Sequence, residues 1–267
     1  MRRLKTAAVI VVAIIVSYGA AHGGAPGGRD AGVRPVTSGG EARGDRACYV
    51  LWALSHGPYA DYTPSGWYSD LADMLEMNNI ISYEADYDLN YIGLDSYDII
   101  VVGTLLAWDS AYTAAELTAI QDFVSAGGGL LIMGENSDCP NEHINIISEA
   151  YGVTCPLTGG DVNGHITDFA GIDLFTGVTT LELISSPGLT VGYPGAAVAW
   201  ASGGEPVVAI AGPCEVVVIS DGNAWENDYI AMGDNETCAL NVFDCLCSSD
   251  TGAQNHSSWG LVKALFR

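Results

Sequence analysis

The sequence predicts an α/β domain with a mostly parallel sheet, helices on both faces and an antiparallel edge. From residue 48 onward, short and continuously apolar segments alternate with segments of helical periodicity. This alternation is typical of parallel strands buried between two helical layers. Two later apolar segments, 206–211 and 215–220, are separated by only three residues, so we expect them to pair as antiparallel strands.

The elements follow one another in a regular order. Strands are predicted at 48–54, 80–84, 97–102, 130–133, 206–211 and 215–220, and helices at 65–77, 113–126, 141–151 and 236–246. Residues 160–204 are rich in Gly and Pro, which favours loops and β-hairpin structure over another helical crossover.

The sequence indicates the buried face of the first helix and the start of the second. In the first helix, Trp67, Leu71 and Leu75 recur at helical spacing, so we expect all three to pack on the sheet. In the second, Thr113 is followed three residues later by Glu116, which is the pattern of a capping box.

The two ends of the chain are predicted to lie outside this domain. Residues 1–25 have a basic start, an apolar run of ten residues at 7–16 and small residues after it, as in a signal peptide. An uncleaved N-terminal anchor is the alternative, although ten apolar residues are too few for a stable membrane span. We therefore predict a flexible linker at 26–46, the α/β domain at 47–248 and a tail with a short amphipathic segment at 249–267. The mature protein is expected to be secreted, periplasmic or at the cell surface.

The charge distribution is strongly one-sided. None of the nine Lys and Arg residues lies between positions 47 and 262, whereas 29 of the 32 Asp and Glu residues do. Nucleic acid is excluded as a partner, because phosphate binding relies on basic side chains. Arg clamps and Lys bases are excluded from any mechanism in this region. No cofactor is required by the sequence. Calcium is a candidate counter-charge, and a high-salt habitat is the other explanation.

Three segments resemble the class I glutamine amidotransferase-like superfamily, and they are closest to its non-catalytic and ThuA-like branches. Residues 97–138 have a "YD-apolar-G" strand, a helix ending in "FV..GGG" and an "LLIMG" strand. Residues 215–246 are similar to the last strand, acidic loop and helix of that group, and residues 166–178 share a weaker pattern. The resemblance implies a flavodoxin-like fold.

The same resemblance indicates that glutaminase activity is lost. Glutaminases of this fold have a nucleophilic Cys in the turn that here reads Gly134-Glu135-Asn136-Ser137, so an acidic side chain replaces the thiol. None of the five His residues forms the partner His-x-Glu pair. Cys139 is a candidate for a displaced nucleophile, but a disulfide with Cys155 is the preferred interpretation. No catalytic residue is predicted.

Seven Cys residues in an exported chain indicate disulfides with one thiol left over. Because helices of such folds run antiparallel to their strands, the resemblance implies that the last helix ends near the cysteines that precede two strands. The four cysteines expected to pair among themselves are Cys48, Cys214, Cys245 and Cys247. Their connectivity stays open, and Cys238 is the predicted free thiol.

In open α/β sheets, ligands bind beyond the carboxyl ends of the strands. The candidate ligand-binding residues there are His56, Tyr59, Trp108, Asp109, Glu135, Asn136, Asp221 and Asn223. The candidate metal ligands are Asp221, Glu226, Asp228 and Asp234. The alternative is that these Asp and Asn residues only cap helices and turns.

The functional hypothesis that follows is a secreted, non-catalytic amidotransferase-like domain with a binding or assembly role. One form of this hypothesis adds that calcium stabilises the domain. Its partner would be a small polar ligand, a carbohydrate or a protein. The first alternative is a hydrolase that acts on a sugar or peptide through Glu135 paired with Asp221. The second is a purely structural module of the cell surface.

Overall fold

The structure is a computed structural model that describes residues 46–57, 61–103, 111–159 and 161–248. The predicted signal peptide, all of the predicted linker except Arg46, and the predicted tail at 249–267 lie outside these residues. Their assignments therefore stay predictions.

Strands and helices alternate along the chain in the predicted order. The strands are β1 (Cys48–Ala53), β2 (Ile80–Ala85), β3 (Ile99–Gly103), β4 (Gly129–Met133), β5 (Val153–Thr154), β6 (Val162–Ile166), β7 (Asp168–Phe169), β8 (Leu181–Ser186), β9 (Thr190–Val191), β10 (Gly195–Trp200), β11 (Pro206–Ala211) and β12 (Val216–Ile219). The α-helices are α1 (Ser69–Met77), α2 (Ala114–Ser125), α3 (Glu142–Ser148) and α4 (Asn235–Cys247). Within the described ranges, no helix is both long enough and apolar enough to cross a membrane.

Eight of the strands form one sheet in the order β2-β1-β3-β4-β12-β11-β10-β7. The first five are parallel to one another, and β11, β10 and β7 continue the sheet through antiparallel pairs. This confirms the predicted parallel sheet with an antiparallel edge. The edge is wider than predicted, because β7 and β10 come from the Gly- and Pro-rich region, where β6 and β8 also form a separate antiparallel pair.

The two faces of the sheet are covered by different helices. Alternate residues of a strand point to opposite faces, so Val50 packs with the apolar residues of α1 and α4, whereas Leu51 packs with those of α2 and α3. Continuously apolar strands such as β3 and β4 follow from this arrangement, since neither face meets water.

Helix α1 begins four residues later than predicted, at Ser69. The expectation that Trp67 packs on the sheet is wrong, because its side chain is 43% exposed. The neighbouring Tyr68 is buried instead, at 1% exposure, and its ring contacts Trp52 with centroids 5.5 Å apart. The delayed helix start accounts for the difference, since it takes Trp67 out of the helical stripe.

Two disulfides attach the end of α4 to the amino-terminal edge of the sheet. Cys48 at the start of β1 pairs with Cys247, and Cys214 just before β12 pairs with Cys245. The Cα atoms are 6.0 and 5.7 Å apart, within the normal range for a disulfide. The prediction that these four cysteines pair with one another, leaving Cys238 free, is confirmed.

The predicted disulfide between Cys139 and Cys155 is wrong, since both thiols are free. The amide of Asn145 hydrogen-bonds to both the backbone N–H and the carbonyl of Cys155, which fixes that residue beneath Gly134. The sulfur of Cys139 instead points to the Glu135 carboxylate, 3.8 Å away. Three thiols are therefore unpaired, rather than one.

We predict that the disulfide closing the longer loop contributes more to stability. The cysteines are separated by 199 residues in the Cys48–Cys247 pair and by 31 in the Cys214–Cys245 pair. In the chain-entropy model, replacing both cysteines by Ala then lowers the free energy of unfolding by about 5 kcal/mol for the first pair and about 4 kcal/mol for the second. Urea unfolding of the two double variants measures both values. Equal losses, or a larger loss for the shorter loop, would contradict the prediction.

Candidate functional site

Two neighbouring parallel strands bring the most promising polar residues together. Met133 at the end of β4 is in register with Ile219 at the end of β12, so the segments that follow these strands run side by side. The N–H of Gly222 donates to the carbonyl of Gly134 at 2.8 Å and joins the two turns. Glu135 and Asp221 therefore leave the sheet at the same edge, as the strand pattern predicted.

Glu135 is buried at 2% exposure, and its carboxylate is only half satisfied. Oε2 accepts hydrogen bonds from the backbone N–H of Asn136 at 3.0 Å and from its side-chain amide at 2.8 Å, whereas Oε1 has no partner among the described residues. Burial, together with the nearby charge of Glu226, raises the pKa of Glu135 to about 7, against the lowering effect of the Asn136 hydrogen bonds. The Glu135 carboxyl group is therefore about half protonated near neutral pH.

The conformation of the Glu135 turn is held by Asn141, which the sequence analysis missed. Its fully buried amide donates to the carbonyls of Glu135 at 2.9 Å and Asn136 at 3.1 Å, and its oxygen accepts from the Glu135 N–H at 3.2 Å. No sequence signal distinguishes this Asn from an ordinary residue at a helix start. Because both sides of the turn are clamped, the position of the Glu135 side chain is preorganised.

Asp221 is fully buried, but both of its carboxylate oxygens are already in use. Oδ1 accepts from the N–H of Asn223 at 3.0 Å, and Oδ2 accepts from the N–H of Ile184. Burial and the charges of Glu135 and Glu226 raise the pKa of Asp221 well above its ordinary value, although the two N–H groups act against this shift. Asp221 therefore caps the turn after β12 and holds strand β8, as in the capping alternative.

Glu226 lies beside this pair and has a free oxygen. Its side chain is 7% exposed, and Oε2 has no partner among the described residues. Burial and the nearby Asp228 charge raise its pKa, whereas a hydrogen bond with Tyr62 lowers it. The Tyr62 oxygen also lies 2.9 Å from the side-chain oxygen of Asn223, so its single proton is shared between Asn223 and Glu226. The contact with Tyr62 therefore places Asn223 at the same edge of the sheet. Asp228, a predicted metal ligand, is exposed.

Tyr68 adds a buried hydroxyl that no sequence signal revealed. Its oxygen has no hydrogen-bond partner among the described residues, and a Cβ atom placed on Gly222 would lie 2.9 Å from it. Burial, and then the charges of Glu135, Tyr62, Asp221 and Glu226, raise the pKa of Tyr68 well above its ordinary value. Only Gly fits at position 222 without displacing this hydroxyl.

We call the set formed by Tyr62, Tyr68, Glu135, Asp221 and Glu226 the carboxylate cluster. It contains three buried side-chain oxygens without a partner among the described residues: one oxygen each of Glu135 and Glu226, and the Tyr68 hydroxyl. A buried polar group that lacks a hydrogen bond costs about 1–3 kcal/mol. Three such atoms at one edge of the sheet are the arrangement expected of a site that binds polar groups.

The predicted metal ligands do not form one group. Asp234 is committed to a structural role, because Oδ2 accepts from the N–H and hydroxyl of Thr179, both at 2.7 Å, and from the N–H of Thr180 at 3.0 Å. These hydrogen bonds lower its pKa. In the part of the chain that the structure describes, no three of Asp221, Glu226, Asp228 and Asp234 bring ligand atoms within 4.8 Å of one another. Calcium binding stays a prediction from the charge pattern.

His56 lies at the end of β1, away from the carboxylate cluster in the sheet order. Its Nε2 is 2.9 Å from Oε1 of Glu116, a fully buried residue whose other oxygen accepts from the N–H and hydroxyl of Thr113, both at 2.9 Å. This confirms the predicted capping box. Burial acts to raise the pKa of Glu116, but hydrogen bonds from Thr113 and His56 hold it below its ordinary value.

The remaining candidate ligand-binding residues, Tyr59, Trp108 and Asp109, lie outside the described residues.

The raised pKa of Glu135 predicts a stability that falls as pH rises. Its carboxyl group ionises near its ordinary value of 4.5 in the unfolded chain and near 7 in the folded one. The folded state therefore holds a proton that the unfolded state has lost, so this contribution is complete below pH 4.5 and disappears by about pH 7. It amounts to about 3 kcal/mol.

Urea unfolding across this pH range tests the prediction, with Glu135→Gln as the variant and the exposed Glu149→Gln as the control. The difference in unfolding free energy between wild type and Glu135→Gln should change by about 3 kcal/mol between pH 4.5 and 7, whereas the control should follow wild type. A pH-independent difference would show that Glu135 titrates normally.

The fold has counterparts among solved structures. The chain is similar to the "mmIFT52 N-terminal domain", with a TM-score of 0.61 and 15% identity over 78% of this chain and 99% of that one. It is also similar to a protein described as ThuA-like from Parabacteroides merdae, with a TM-score of 0.53 and 8% identity over 79% of this chain and 93% of the other. No protein-family model matches the sequence, and no curated protein matches it significantly.

At these identities, the similarity is one of fold. A third structure, described as a GMP synthase protein from Thermoplasma acidophilum, has a TM-score of 0.50 and 10% identity over 77% of this chain and 96% of its own. Together, the neighbours and the sheet order confirm the expected architecture. The chain has a flavodoxin-like α/β fold, which it shares with the ThuA-like protein and with the GMP synthase protein.

Proposed function

We propose that this chain is an amidotransferase-like domain that binds a small, uncharged, hydroxyl-bearing ligand at the carboxylate cluster and does not hydrolyse glutamine. The observation that carries the proposal is the set of three buried oxygens without described partners, on Tyr68, Glu135 and Glu226. They lie beyond the carboxyl ends of β4 and β12, where open α/β sheets bind their ligands.

The charge of the site supports an uncharged ligand. No Lys or Arg lies between positions 47 and 262, so a phosphate or carboxylate group would meet acidic side chains without a Lys or Arg to balance its charge. A Glu135 carboxyl group with a pKa of about 7 supplies both a donor and an acceptor near neutral pH, and Tyr68 does the same. Hydroxyl groups, which also donate and accept, complement such a site.

Aromatic side chains beside the cluster support a carbohydrate as the ligand class. Tyr62, whose hydroxyl belongs to the cluster, contacts Trp67 edge to face, with ring centroids 4.6 Å apart. Trp67 is 43% exposed and so presents apolar surface at the rim of the cluster. An apolar ring face next to hydrogen-bonding groups matches the alternating apolar and hydroxyl-bearing surfaces of a sugar.

The environment of the Cys139 thiol argues against glutaminase activity. Burial, followed by the charge of Glu135, raises the pKa of Cys139 to about 12. At pH 7 only about one molecule in 10⁵ would carry the thiolate that acts as a nucleophile. No histidine is among the groups that shift this pKa. Cys139 therefore lacks both the charge and the base that activation requires.

A second candidate function is hydrolysis by general acid–base catalysis. A Glu135 pKa of about 7 favours it, because a catalytic acid works best when its pKa is close to the pH. The partner carboxylate would be Glu226 rather than Asp221. Both oxygens of Asp221 accept backbone hydrogen bonds, whereas Oε2 of Glu226 has no partner among the described residues. In this version, Glu135 would donate the proton to a leaving group and Glu226 would activate water.

Export is part of the proposal. Two disulfides are expected to persist in an oxidising compartment, which supports a secreted, periplasmic or cell-surface location. The basic and apolar start of the sequence is consistent with this location.

Ligand binding is tested with a panel of neutral mono- and disaccharides and polyols, each added to the purified protein in a thermal-shift assay and followed by calorimetry. A binder at 100 times its Kd stabilises the fold by about 2.7 kcal/mol. We expect Glu135→Gln and Tyr68→Phe each to weaken binding about tenfold, because each removes one hydrogen-bonding group from the cluster. Glu149→Gln serves as the matched exposed control.

The other outcomes are also informative. If Glu135→Gln and Tyr68→Phe leave binding unchanged, the ligand binds at another site. If amines bind better than neutral sugars and polyols, the ligand class is cationic and the proposed class is wrong. Release of a cleaved product that depends on Glu135 and Glu226 would favour the hydrolase. No binding by any member of the panel would contradict the proposal and favour a purely structural module.

A further inference from the structure

A second polar group lies at the carboxyl end of β1 and shares no residue with the carboxylate cluster. His56 follows β1, Asp88 precedes the short helical turn at Leu89–Tyr91, and Glu116 lies in the first turn of α2. One ligand atom from each side chain lies within 4.8 Å of the other two. Three segments that are distant in sequence therefore converge on one point.

The donor set has the composition of a transition-metal site. It combines one imidazole nitrogen with two carboxylates, and both His56 and Glu116 are buried, at 8% and 0% exposure. With a neutral imidazole, the three groups carry two negative charges, and no Lys or Arg lies between positions 47 and 262 to balance them. A divalent cation would neutralise the group completely.

A separate observation also points to a ligand here. The Tyr112 ring lies against the His56 imidazole, with centroids 4.4 Å apart, and the Tyr112 side chain is only 4% exposed. The Tyr112 hydroxyl has no partner among the described residues. A buried phenol beside the three donors could hydrogen-bond to a metal-bound water.

We propose that His56, Asp88 and Glu116 bind a divalent transition metal, with Zn²⁺ as the preferred ion. Imidazole and carboxylate ligands suit Zn²⁺, whereas Ca²⁺ takes six to eight oxygen ligands and no nitrogen. Three protein ligands leave a four-coordinate ion one position for water. The site is preformed, because the His56–Glu116 hydrogen bond of 2.9 Å already holds two of the donors together.

The experiment uses the full mature chain, first treated with a chelator and then titrated with ZnCl₂ in a calorimeter. The two variants are Asp88→Asn and His56→Gln. Glu116 is left unchanged, because its carboxylate also caps α2. Asp86→Asn is the matched control, since Asp86 is an exposed carboxylate two residues from Asp88 on the same loop.

We expect one Zn²⁺ per chain for the wild type and for Asp86→Asn, and at least tenfold weaker binding for Asp88→Asn and His56→Gln. Asp88→Asn keeps the test valid if His56→Gln fails to fold, since the Asp88 side chain is only half-buried. The metal-free thermal midpoint of Asp88→Asn should therefore be no lower than that of the wild type.

Three results would overturn the proposal: no stoichiometric Zn²⁺ binding, equal binding by Asp88→Asn and wild type, or equal weakening by Asp86→Asn, which would indicate a diffuse acidic surface. The absorption spectrum of the Co²⁺ complex gives an independent check. A thiolate charge-transfer band in that spectrum would assign the metal to a free cysteine instead.

Discussion

The constraint on which the rest of the structure depends is electrostatic. The folded region must accommodate many carboxylates without a Lys or Arg between positions 47 and 262. Burying an ionised carboxylate without compensation costs so much that the group protonates or finds another partner. Among the described residues, the single Lys or Arg side chain is Arg46, which pairs with Asp98 at 2.7 Å. Every other buried acid therefore needs a different form of compensation.

The buried acids show several solutions. Asp221 accepts backbone N–H groups, which stabilise a carboxylate by hydrogen bonding and connect separate segments of the chain. Glu116 combines a helix cap with a histidine. Glu135 has too few donors for full compensation, so its pKa rises to about 7. The two least compensated of these acids, Glu135 and Glu226, both lie in the carboxylate cluster, which makes that cluster, rather than the thiol of Cys139, the chemically distinctive feature of this chain.

The sequence predicted the architecture well, because hydrophobic alternation and helix direction are local and topological properties. The continuous apolar strands placed Glu135 and Asp221 at one edge of the sheet, and the direction of α4 placed Cys245 and Cys247 near Cys48 and Cys214. The antiparallel edge was underestimated, because β7 and β10 belong to a Gly- and Pro-rich segment whose pairing depends on distant strands.

The details of the site depend on side-chain directions that spacing does not determine. The predicted helix start placed Trp67 in the core, but α1 begins at Ser69 and Tyr68 is buried instead. Cys139 and Cys155 are close in sequence, yet their sulfurs face a carboxylate and a glycine respectively. Asn141 resembles any polar residue at a helix start until its side-chain hydrogen bonds to the backbone of the Glu135 turn are known. Such roles arise from long-range packing, which periodicity does not encode.

The claim at the centre of this interpretation is that a buried, incompletely compensated carboxyl group in the Glu135 turn is held partly protonated at neutral pH. Titration of the Glu135 side-chain carboxyl carbon by NMR measures this directly, with Glu135→Gln used to assign the signal. A midpoint near 7 is the predicted result. A midpoint at or below the ordinary value of 4.5 would show that the carboxylate is fully compensated, and the cluster would then be a structural feature without binding chemistry.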